Sequence, residues 1–237
     1  MDVKAIILAG GIGKRMTNSE VPKQFIEICG KPIIIHTIKH FIESKHVSNI
    51  IVSCNPEYIN YFEKMLLRYG IKDFVAVVEG GKTGQLSIFN ALKYIFKDCL
   101  VDENSLVMIH DSVRPFINKK LIDENSKVAF DYGSAVTAYK VTETVFKSKS
   151  KLYVDEILDR DEMFMARAPQ TFNFNKLYKT HIKELEVGKD NNIDSASMMK
   201  KYGVDLKIIV SDLPNIKITT QTDLNIANYF CKVYLFE

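Results

Sequence analysis

The chain has 237 residues, 46% of them apolar and 26% charged, which is typical of a folded globular protein with a large core. Its 32 basic and 29 acidic residues leave a net charge of +3, and this mild balance argues against a nucleic-acid partner. The apolar run at residues 6–8 is much shorter than a signal peptide or a membrane span, so we expect a cytoplasmic protein with no membrane association.

The four cysteines, Cys29, Cys54, Cys99 and Cys231, are far apart and form no C-x-x-C pair. Structural zinc sites normally use closely spaced cysteines, so this spacing argues against zinc. In a chain expected to be cytoplasmic, reduced thiols in the core are the favoured interpretation.

Residues 1–110 alternate between apolar strands and amphipathic helices. Continuous apolar runs predict strands over 3–9, 50–54, 74–78 and 106–110. Helical spacing of apolar residues predicts helices over 31–45, 58–69 and 85–96. Apolar strands that alternate with helices are typical of a parallel sheet covered on both faces, so the predicted fold class is α/β.

Beyond Gly133 the pattern changes. Two extended runs, 135–145 and 152–157, flank a polar stretch of lysines and serines, which predicts a β-hairpin arm at about 135–165. The remaining predicted elements are helices over 175–186, 194–202 and 222–233 and a strand over 206–210. No linker or repeat divides the chain, so residues 1–237 are interpreted as one domain with a projecting arm.

A glycine-rich turn follows the first strand. It comprises Leu8, Ala9, Gly10, Gly11, Gly13 and Arg15. Glycines after a strand let backbone N–H groups approach an anion, and a basic residue adds charge. The turn is neither a Walker A loop nor a complete G-x-G-x-x-G fingerprint, and an ordinary tight turn with a solvated arginine is the alternative.

Three further cations suit a polyphosphate ligand. Lys23 follows Pro22 at a distance that allows it and Arg15 to close over one triphosphate, although simple surface charge is the alternative. Lys217 interrupts an apolar stretch, where a lysine is costly to bury unless it meets an anion. Arg160 is another candidate anion-binding residue, with a salt bridge to its acidic neighbours as the alternative.

Asp111 directly follows the fourth predicted strand, at the edge where open parallel sheets bind ligands. A carboxylate there is placed to hold Mg²⁺, which prefers oxygen ligands and substrate phosphates. Arg114 offers a guanidinium group for a second phosphate. The alternative is an ion pair between Asp111 and Arg114 beside a buried His110.

Together these segments resemble the cytidylyltransferase family that contains the methylerythritol-phosphate and ribitol-5-phosphate enzymes. Seven motifs match in order over nearly the whole chain, which makes the resemblance specific. They are A-G-G-x-G-x-R-M at 9–16, P-K-Q at 22–24, G-G at 80–81, D-x-x-R-P at 111–115, R-x-x-x-x-x-x-x-P-Q-x-F at 160–172, D-x-A at 194–196 and N-I-K-[IV]-T at 215–219.

The resemblance implies a Rossmann-like, mostly parallel sheet with helices on both faces and a β-arm that pairs two subunits. It implies transfer of a cytidylyl group from CTP to the phosphate of a small polyol, with Mg²⁺ on Asp111. The implied nucleotide-binding residues are Leu8, Ala9, Gly10, Gly11, Gly13, Gly81, Ser87 and Asp111. The implied catalytic residues are Arg15, Lys23, Arg160 and Lys217, and the implied acceptor-binding residues are Arg114, Thr144, Arg160 and Lys217, with Arg160 serving the partner's site.

The chain departs from the family pattern at three positions. The family commonly has an arginine and an acidic residue after the double glycine, where this chain has Gly84 and Leu86. The family's common threonine before P-Q is replaced by Ala168. These changes bear on nucleotide preference and on the acceptor pocket.

Several details resemble the ribitol-phosphate branch, which supplies precursors for teichoic acid or capsule. They are Val113, the pair Glu162 and Met163, and the pair Thr219 and Thr220. Methylerythritol phosphate, the acceptor of isoprenoid synthesis, and another polyol phosphate are the alternatives. Two other classes stay open, a non-catalytic nucleotide-binding protein and a nicotinamide-dependent oxidoreductase in which Glu57 imitates a ribose-binding acid.

Overall fold

The computed structural model describes residues 1–11, 21–188, 192–211 and 214–234. Gly13 and Arg15 therefore lie outside the described residues. The strands are β1 (Val3–Ala9), β2 (Glu27–Ile28), β3 (Lys31–Pro32), β4 (Val47–Cys54), β5 (Val75–Glu79), β6 (Leu106–Asp111), β7 (Ser134–Lys140), β8 (Val145–Lys147), β9 (Glu156–Leu158), β10 (Phe164–Asn173) and β11 (Ile208–Val210). The helices are α1 (Ile33–Ile42), α2 (Ile59–Arg68), α3 (Gly84–Asp98), α4 (Lys119–Tyr132), α5 (Phe174–Glu186), α6 (Ser195–Lys201) and α7 (Gln221–Tyr234).

Within the described ranges, seven strands form one sheet in the order β11-β7-β10-β6-β1-β4-β5. The pairs β6-β1, β1-β4, β4-β5 and β11-β7 are parallel. Only β10 among these strands runs antiparallel to its neighbours, β6 and β7. The predicted α/β fold with a mostly parallel sheet is confirmed.

Successive residues of β1 point to opposite faces of the sheet, because side chains alternate along a strand. Ala5 and Ile7 join a core packed by α1, α2 and α4. Ile6 joins a second core packed by α3, α5 and α6. Apolar side chains are therefore needed on both faces of β1, which explains its continuous hydrophobic run and confirms the helices on both faces.

A third apolar cluster lies beneath α7. It contains Ile28, Ile33, Val113, Phe116, Ile218, Ala227 and Cys231. The structure joins Cys231 of α7 to Cys29 in a disulfide with a Cα–Cα distance of 6.3 Å. The expectation of reduced thiols is wrong for this pair, because the fold brings together two cysteines that are 202 positions apart in the sequence. Cys54 and Cys99 are free.

The region after Gly133 differs in detail from its sequence pattern. Residues 134–140 belong to the main sheet as β7, and β8 pairs with β9 in a separate two-stranded sheet. The run 152–157 was expected to be extended from its start, but the second strand of the hairpin is β9, at Glu156–Leu158. Neither α4 nor β10 is among the elements predicted from the sequence.

The hairpin of β8 and β9 carries several apolar side chains that are more than half exposed. They are Phe146, Leu152, Tyr153, Val154 and Ile157. Within the part of the chain that the structure describes, no helix has both the length and the apolar character that crossing a membrane requires.

Candidate active site

The carboxyl ends of β1, β4, β5 and β6 lie at one edge of the sheet because these strands are parallel. Leu8 near the end of β1 is paired in register with Asp111 at the end of β6. Two cavities open at this edge, and they share Leu8, Gly84, Asp111 and Lys217 as common walls. Segments that are far apart in the sequence therefore meet at one place.

The first cavity, here called the glycine cavity, has a volume of about 400 Å³. It is lined by Leu8, Gly10, Gly11, Lys23, Gln24, Gly81, Lys82, Thr83, Gly84, Ser87, Asp111, Ser112, Val113 and Lys217. Six of the eight nucleotide-binding candidates are among these residues. Ala9 is instead buried in the core of the sheet, where its carbonyl oxygen accepts a 2.7 Å hydrogen bond from Gln24 Nε2.

The turn between β5 and α3 forms one wall of the glycine cavity. Thr83 caps α3 by accepting a hydrogen bond from Leu86 N, and Ser87 Oγ accepts one from Gly81 N at 3.0 Å. A Cβ on Gly81 would lie 2.8 Å from the Leu86 carbonyl carbon, so the turn requires glycine here. The amino terminus of α3 then faces the cavity and adds partial positive charge to it.

Lys23 reaches the same cavity from the short turn that follows Pro22. Its Cε lies 4.0 Å from the position that a Cβ on Gly11 would occupy, so the lysine runs alongside the glycine turn. The hydrogen bond from Gln24 to Ala9 holds this segment against β1. The expected proximity of Lys23 to the glycine turn is therefore present in the structure.

Asp111 forms ion pairs with two cations at the boundary between the cavities. Its Oδ2 lies 2.8 Å from Arg114 Nε, and its Oδ1 lies 2.8 Å from Lys217 Nζ. The side chains of Arg114 and Asp111 are 12% and 19% exposed, whereas that of Lys217 is 42% exposed. Lys217 is thus the partner that solvent and ligands reach most easily.

The position of Lys217 depends on contacts made by its neighbour. Ile218 is fully buried in the cluster beneath α7, and its N–H donates a 3.0 Å hydrogen bond to the Val113 carbonyl. This bond ties the segment of Lys217 to the turn that carries Asp111 and Arg114. The apolar residues around Lys217 thus anchor the backbone while the amino group reaches the cavities.

Burial alone would raise the pKa of Asp111, but the charges and hydrogen bonds of Lys217 and Arg114 outweigh it and lower the pKa to about 2. The carboxylate is therefore ionised throughout the neutral range. The negative charge of Asp111 attracts Arg114 and Lys217, and its two oxygens keep further lone pairs that can bind a metal ion.

His110 is fully buried beside Asp111, as predicted by the interpretation in which this histidine has a structural role. Its Nε2 donates to the Arg114 carbonyl at 3.1 Å, and its ring lies 5.3 Å from that of Phe41. Burial lowers the pKa of His110 to about 4, so the ring is neutral at pH 7. It serves to hold the turn from Asp111 to Arg114 in place.

The second cavity, here called the arginine cavity, has a volume of about 300 Å³. Besides the shared walls, it is lined by Gln85, Ile88, Ile109, His110, Arg114, Ala166, Arg167, Ala168, Gln170, Asn192, Ile193, Asp194 and Ser195. Asp194 caps α6 through Ser197 N and accepts a 2.9 Å hydrogen bond from Gln170 Nε2. This cavity lies beside the glycine cavity and is large enough for a small polar molecule.

Sequence reasoning missed Arg167, which lines the arginine cavity. Its Nη1 donates to the carbonyl oxygens of Pro214 and Asn215 at 2.7 and 2.9 Å. The sequence signal for Arg167 is its position inside the motif at 160–172, one residue before Ala168, where the chain departs from the family pattern. Without the fold, nothing in the pattern indicates that this side chain lines the same cavity as Asp111.

Two acceptor-binding candidates lie elsewhere. Thr144 and Arg160 sit at either end of the hairpin of β8 and β9, and neither is among the residues that line the two cavities. Arg160 is exposed and its Nη1 donates to the Thr142 carbonyl at 3.4 Å. The acidic neighbour Asp161 pairs with Lys140 rather than with Arg160.

Two of the three positions where the chain departs from the family pattern lie at these cavities. Gly84 lines both, with open space around the position of its missing Cβ. Ala168 lines the arginine cavity. Leu86 lines neither cavity, so the change from an acidic residue there leaves the walls of the cavities intact.

The fold and the charged cleft at the carboxyl ends of its strands define the class of protein, an α/β protein of the kind that binds anionic ligands such as nucleotides at this edge. The chain belongs to the IspD family, described as 2-C-methyl-D-erythritol 4-phosphate cytidylyltransferase, whose model matches residues 3–232. It is therefore a cytidylyltransferase that uses CTP, and this membership favours a transferase over both alternative classes.

Individual relatives give the same family. The chain is 41% identical to ribitol-5-phosphate cytidylyltransferase of Vibrio parahaemolyticus over 92% of this chain and 91% of the relative. It is 38% identical to the protein of that name from Streptococcus agalactiae serotype III, over 92% and 90%. Among solved structures, 4-diphosphocytidyl-2C-methyl-D-erythritol synthase of Anaerococcus prevotii matches with a TM-score of 0.83 and 27% identity, over 98% of this chain and 96% of that one.

Proposed function

We propose that this enzyme converts D-ribitol 5-phosphate and CTP to CDP-ribitol and pyrophosphate, as a precursor step for teichoic acid or capsule. The observation that carries the proposal is the junction of the two cavities at Asp111 and Lys217. A triphosphate in the glycine cavity and a phosphate in the arginine cavity meet there. The relatives named ribitol-5-phosphate cytidylyltransferase, at 37–41% identity, favour ribitol phosphate as the acceptor.

In the proposed reaction, an oxygen of the acceptor phosphate attacks the α-phosphorus of CTP. The bond from that phosphorus to the bridging oxygen of the β-phosphate breaks in line, and pyrophosphate leaves with the electron pair. Lys23 binds the leaving phosphates, and Lys217 neutralises charge between the attacking and the attacked groups. Catalysis is then positioning plus charge stabilisation, and no covalent intermediate with the protein is needed.

Asp111 is the proposed ligand of Mg²⁺. Among the described residues, no group of three His, Cys, Asp or Glu side chains is arranged to hold a metal ion. Mg²⁺ is often held by one or two carboxylates together with substrate phosphates, so a single ionised carboxylate at the cavity boundary fits it. When bound, the ion supplies positive charge to the phosphates.

We further propose that the enzyme works as a homodimer through the hairpin of β8 and β9, in the cytoplasm. The exposed apolar side chains of the hairpin need a partner surface. Thr144 and Arg160 lie outside the cavities of their own subunit, so a paired arm would bring them to the partner's acceptor. Each active site would then be completed by both subunits.

An acceptor panel tests the proposed function. The purified enzyme is mixed with CTP, Mg²⁺ and D-ribitol 5-phosphate, 2-C-methyl-D-erythritol 4-phosphate or other polyol phosphates, and pyrophosphate and the CDP-product are measured. We expect D-ribitol 5-phosphate to give the highest kcat/KM. Turnover with methylerythritol phosphate alone would contradict the acceptor, and CTP binding without any product would contradict the reaction.

Mixing two inactive variants tests the shared active site. We expect Arg160→Ala and Lys217→Ala each to lose activity, and a one-to-one mixture, after subunit exchange, to recover roughly a quarter of wild-type turnover. Half of the dimers are then mixed, and each mixed dimer has one intact site. If Arg160 acts within its own subunit, the mixture stays inactive, and the pairing proposal fails.

A further inference from the structure

The cluster at the head of the arginine cavity has more cations than anions. Arg114 Nη1 and Arg167 Nη1 both donate to the Asn215 carbonyl, at 2.8 and 2.9 Å. Two guanidinium groups therefore lie side by side at one oxygen atom. Asp111 is the carboxylate of this cluster, and it is already paired with Arg114 and Lys217.

Arg167 has no carboxylate partner among the described residues. Asp194 lines the same cavity, but its two oxygens accept hydrogen bonds from Ser197 N and Gln170 Nε2. Burial and the neighbouring charge of Arg114 both lower the pKa of Arg167. The described walls of this cavity carry three cations and two carboxylates, and this net positive charge favours the binding of an anion.

The guanidinium of Arg167 is held in a fixed orientation. Its Nη1 is occupied by the carbonyls of Pro214 and Asn215, and its Cζ lies 5.0 Å from the centre of the Tyr139 ring. A guanidinium has five N–H donors, so Nε and Nη2 remain with three. In the described part of the chain, no protein acceptor binds this second edge. A free edge of this kind matches the oxygens of a phosphate in a bidentate way.

The position of Arg167 selects which phosphate it meets. It lines the arginine cavity and is not among the residues of the glycine cavity, where the triphosphate is proposed to lie. A phosphate monoester carries close to two negative charges at neutral pH, so the net positive charge of the cavity attracts it. The hydroxyl groups of a polyol would leave that positive charge uncompensated.

We propose that Arg167 binds the phosphate of the acceptor through its free edge, on the side of that group away from the glycine cavity. This inference rests on the proposed function and adds a residue to it. Arg167 thereby orients the attacking oxygen towards Lys217 and restricts the enzyme to acceptors that carry a phosphate monoester.

Steady-state kinetics of Arg167→Ala test the inference. We expect the KM for D-ribitol 5-phosphate to rise about 10- to 100-fold, the effect of losing hydrogen bonds to a charged group, while the KM for CTP stays unchanged. Added guanidinium ion should partly restore the acceptor KM. Arg68→Ala is the matched control, because Arg68 is exposed and also packs on a tyrosine ring, that of Tyr69. It should leave both KM values unchanged.

A purely structural role for Arg167 predicts a different result. If the side chain only anchors Pro214 and Asn215, its loss displaces Lys217, so kcat falls even at saturating acceptor and guanidinium ion does not restore the acceptor KM. That pattern would overturn the inference. An acceptor KM equal to that of the wild type would overturn it as well.

Calorimetric titration separates this inference from the proposed function. D-Ribitol 5-phosphate and inorganic phosphate are titrated into the wild type and Arg167→Ala without CTP, with ribitol as the uncharged control. Weaker phosphate binding in the variant supports the inference even if the wild type turns over no polyol phosphate. Equal phosphate binding in both proteins overturns it even if the wild type makes CDP-ribitol.

Discussion

Replacing Lys217 by alanine is expected to lower kcat by on the order of 10²–10³, the usual cost of losing one group that stabilises transition-state charge. Its amino group lies 2.8 Å from Asp111 and Lys217 lines both cavities, so it faces the proposed meeting point of the acceptor and the α-phosphate. Pyrophosphate release at saturating CTP and acceptor measures the effect.

The fold should survive this change. Lys217 is 42% exposed, and the segment is anchored by the buried Ile218. The thermal midpoint of Lys217→Ala should therefore stay close to that of the wild type. Lys200→Ala is the control, because it breaks an exposed Lys–Asp pair with Asp205 on another surface. Turnover of Lys217→Ala equal to that of the control would refute the active site described above.

Asp111→Asn is expected to be equally damaging to turnover, by on the order of 10²–10³. The substitution keeps the shape of the side chain but removes its charge. Arg114 and Lys217 are then left without their carboxylate, and the proposed Mg²⁺ ligand is weakened. Titrating Mg²⁺ in the assay separates these effects, since a lost metal ligand raises the Mg²⁺ concentration needed for half-maximal rate. Asp131→Asn, which breaks the exposed pair with Lys127, should leave the rate unchanged.

The same variant has an expected pH signature in stability. The folded-state pKa of Asp111 is lowered to about 2 from an ordinary value of 3.8. Its contribution to the free energy of unfolding is therefore present above about pH 4 and is lost as the pH falls through 2. Urea unfolding should show Asp111→Asn less stable than wild type at pH 7, with the gap closing towards pH 2. A gap that is constant over this range would contradict the pairing of Asp111.

Much of the fold could be predicted because its signals are local. The apolar run of β1, the periodicity of α1 behind Pro32 and the glycine turn after Ala9 each depend on residues close in sequence. The antiparallel β10 could not be predicted in this way. It is extended through Arg167, Pro169 and Gln170 because it is inserted between β6 and β7, and its register shifts between Ala166 and Gln170.

In the candidate site, too, some features could be predicted from the sequence and others could not. Asp111 could be assigned from sequence because a carboxylate at the end of a buried strand is a local signal for a ligand site. Its pairing with Lys217 could not be predicted, since the two residues are 106 positions apart in the sequence. For Asp111, an ion pair with Arg114 and a place in a ligand site are alternatives at the level of sequence. In the structure they are compatible, because one carboxylate contacts Arg114 and Lys217 at once.

The sequence by itself determined the α/β class, the cytidylyltransferase family and most of the walls of the glycine cavity, because strand ends and glycine turns are encoded by neighbouring residues. Only the tertiary structure decided which charged side chains lie close to one another. It brought Arg167 to the Asn215 carbonyl beside Arg114 and joined Cys29 to Cys231. Electrostatic interactions depend on distance in space, and that distance is fixed by the packing of whole elements rather than by spacing along the chain.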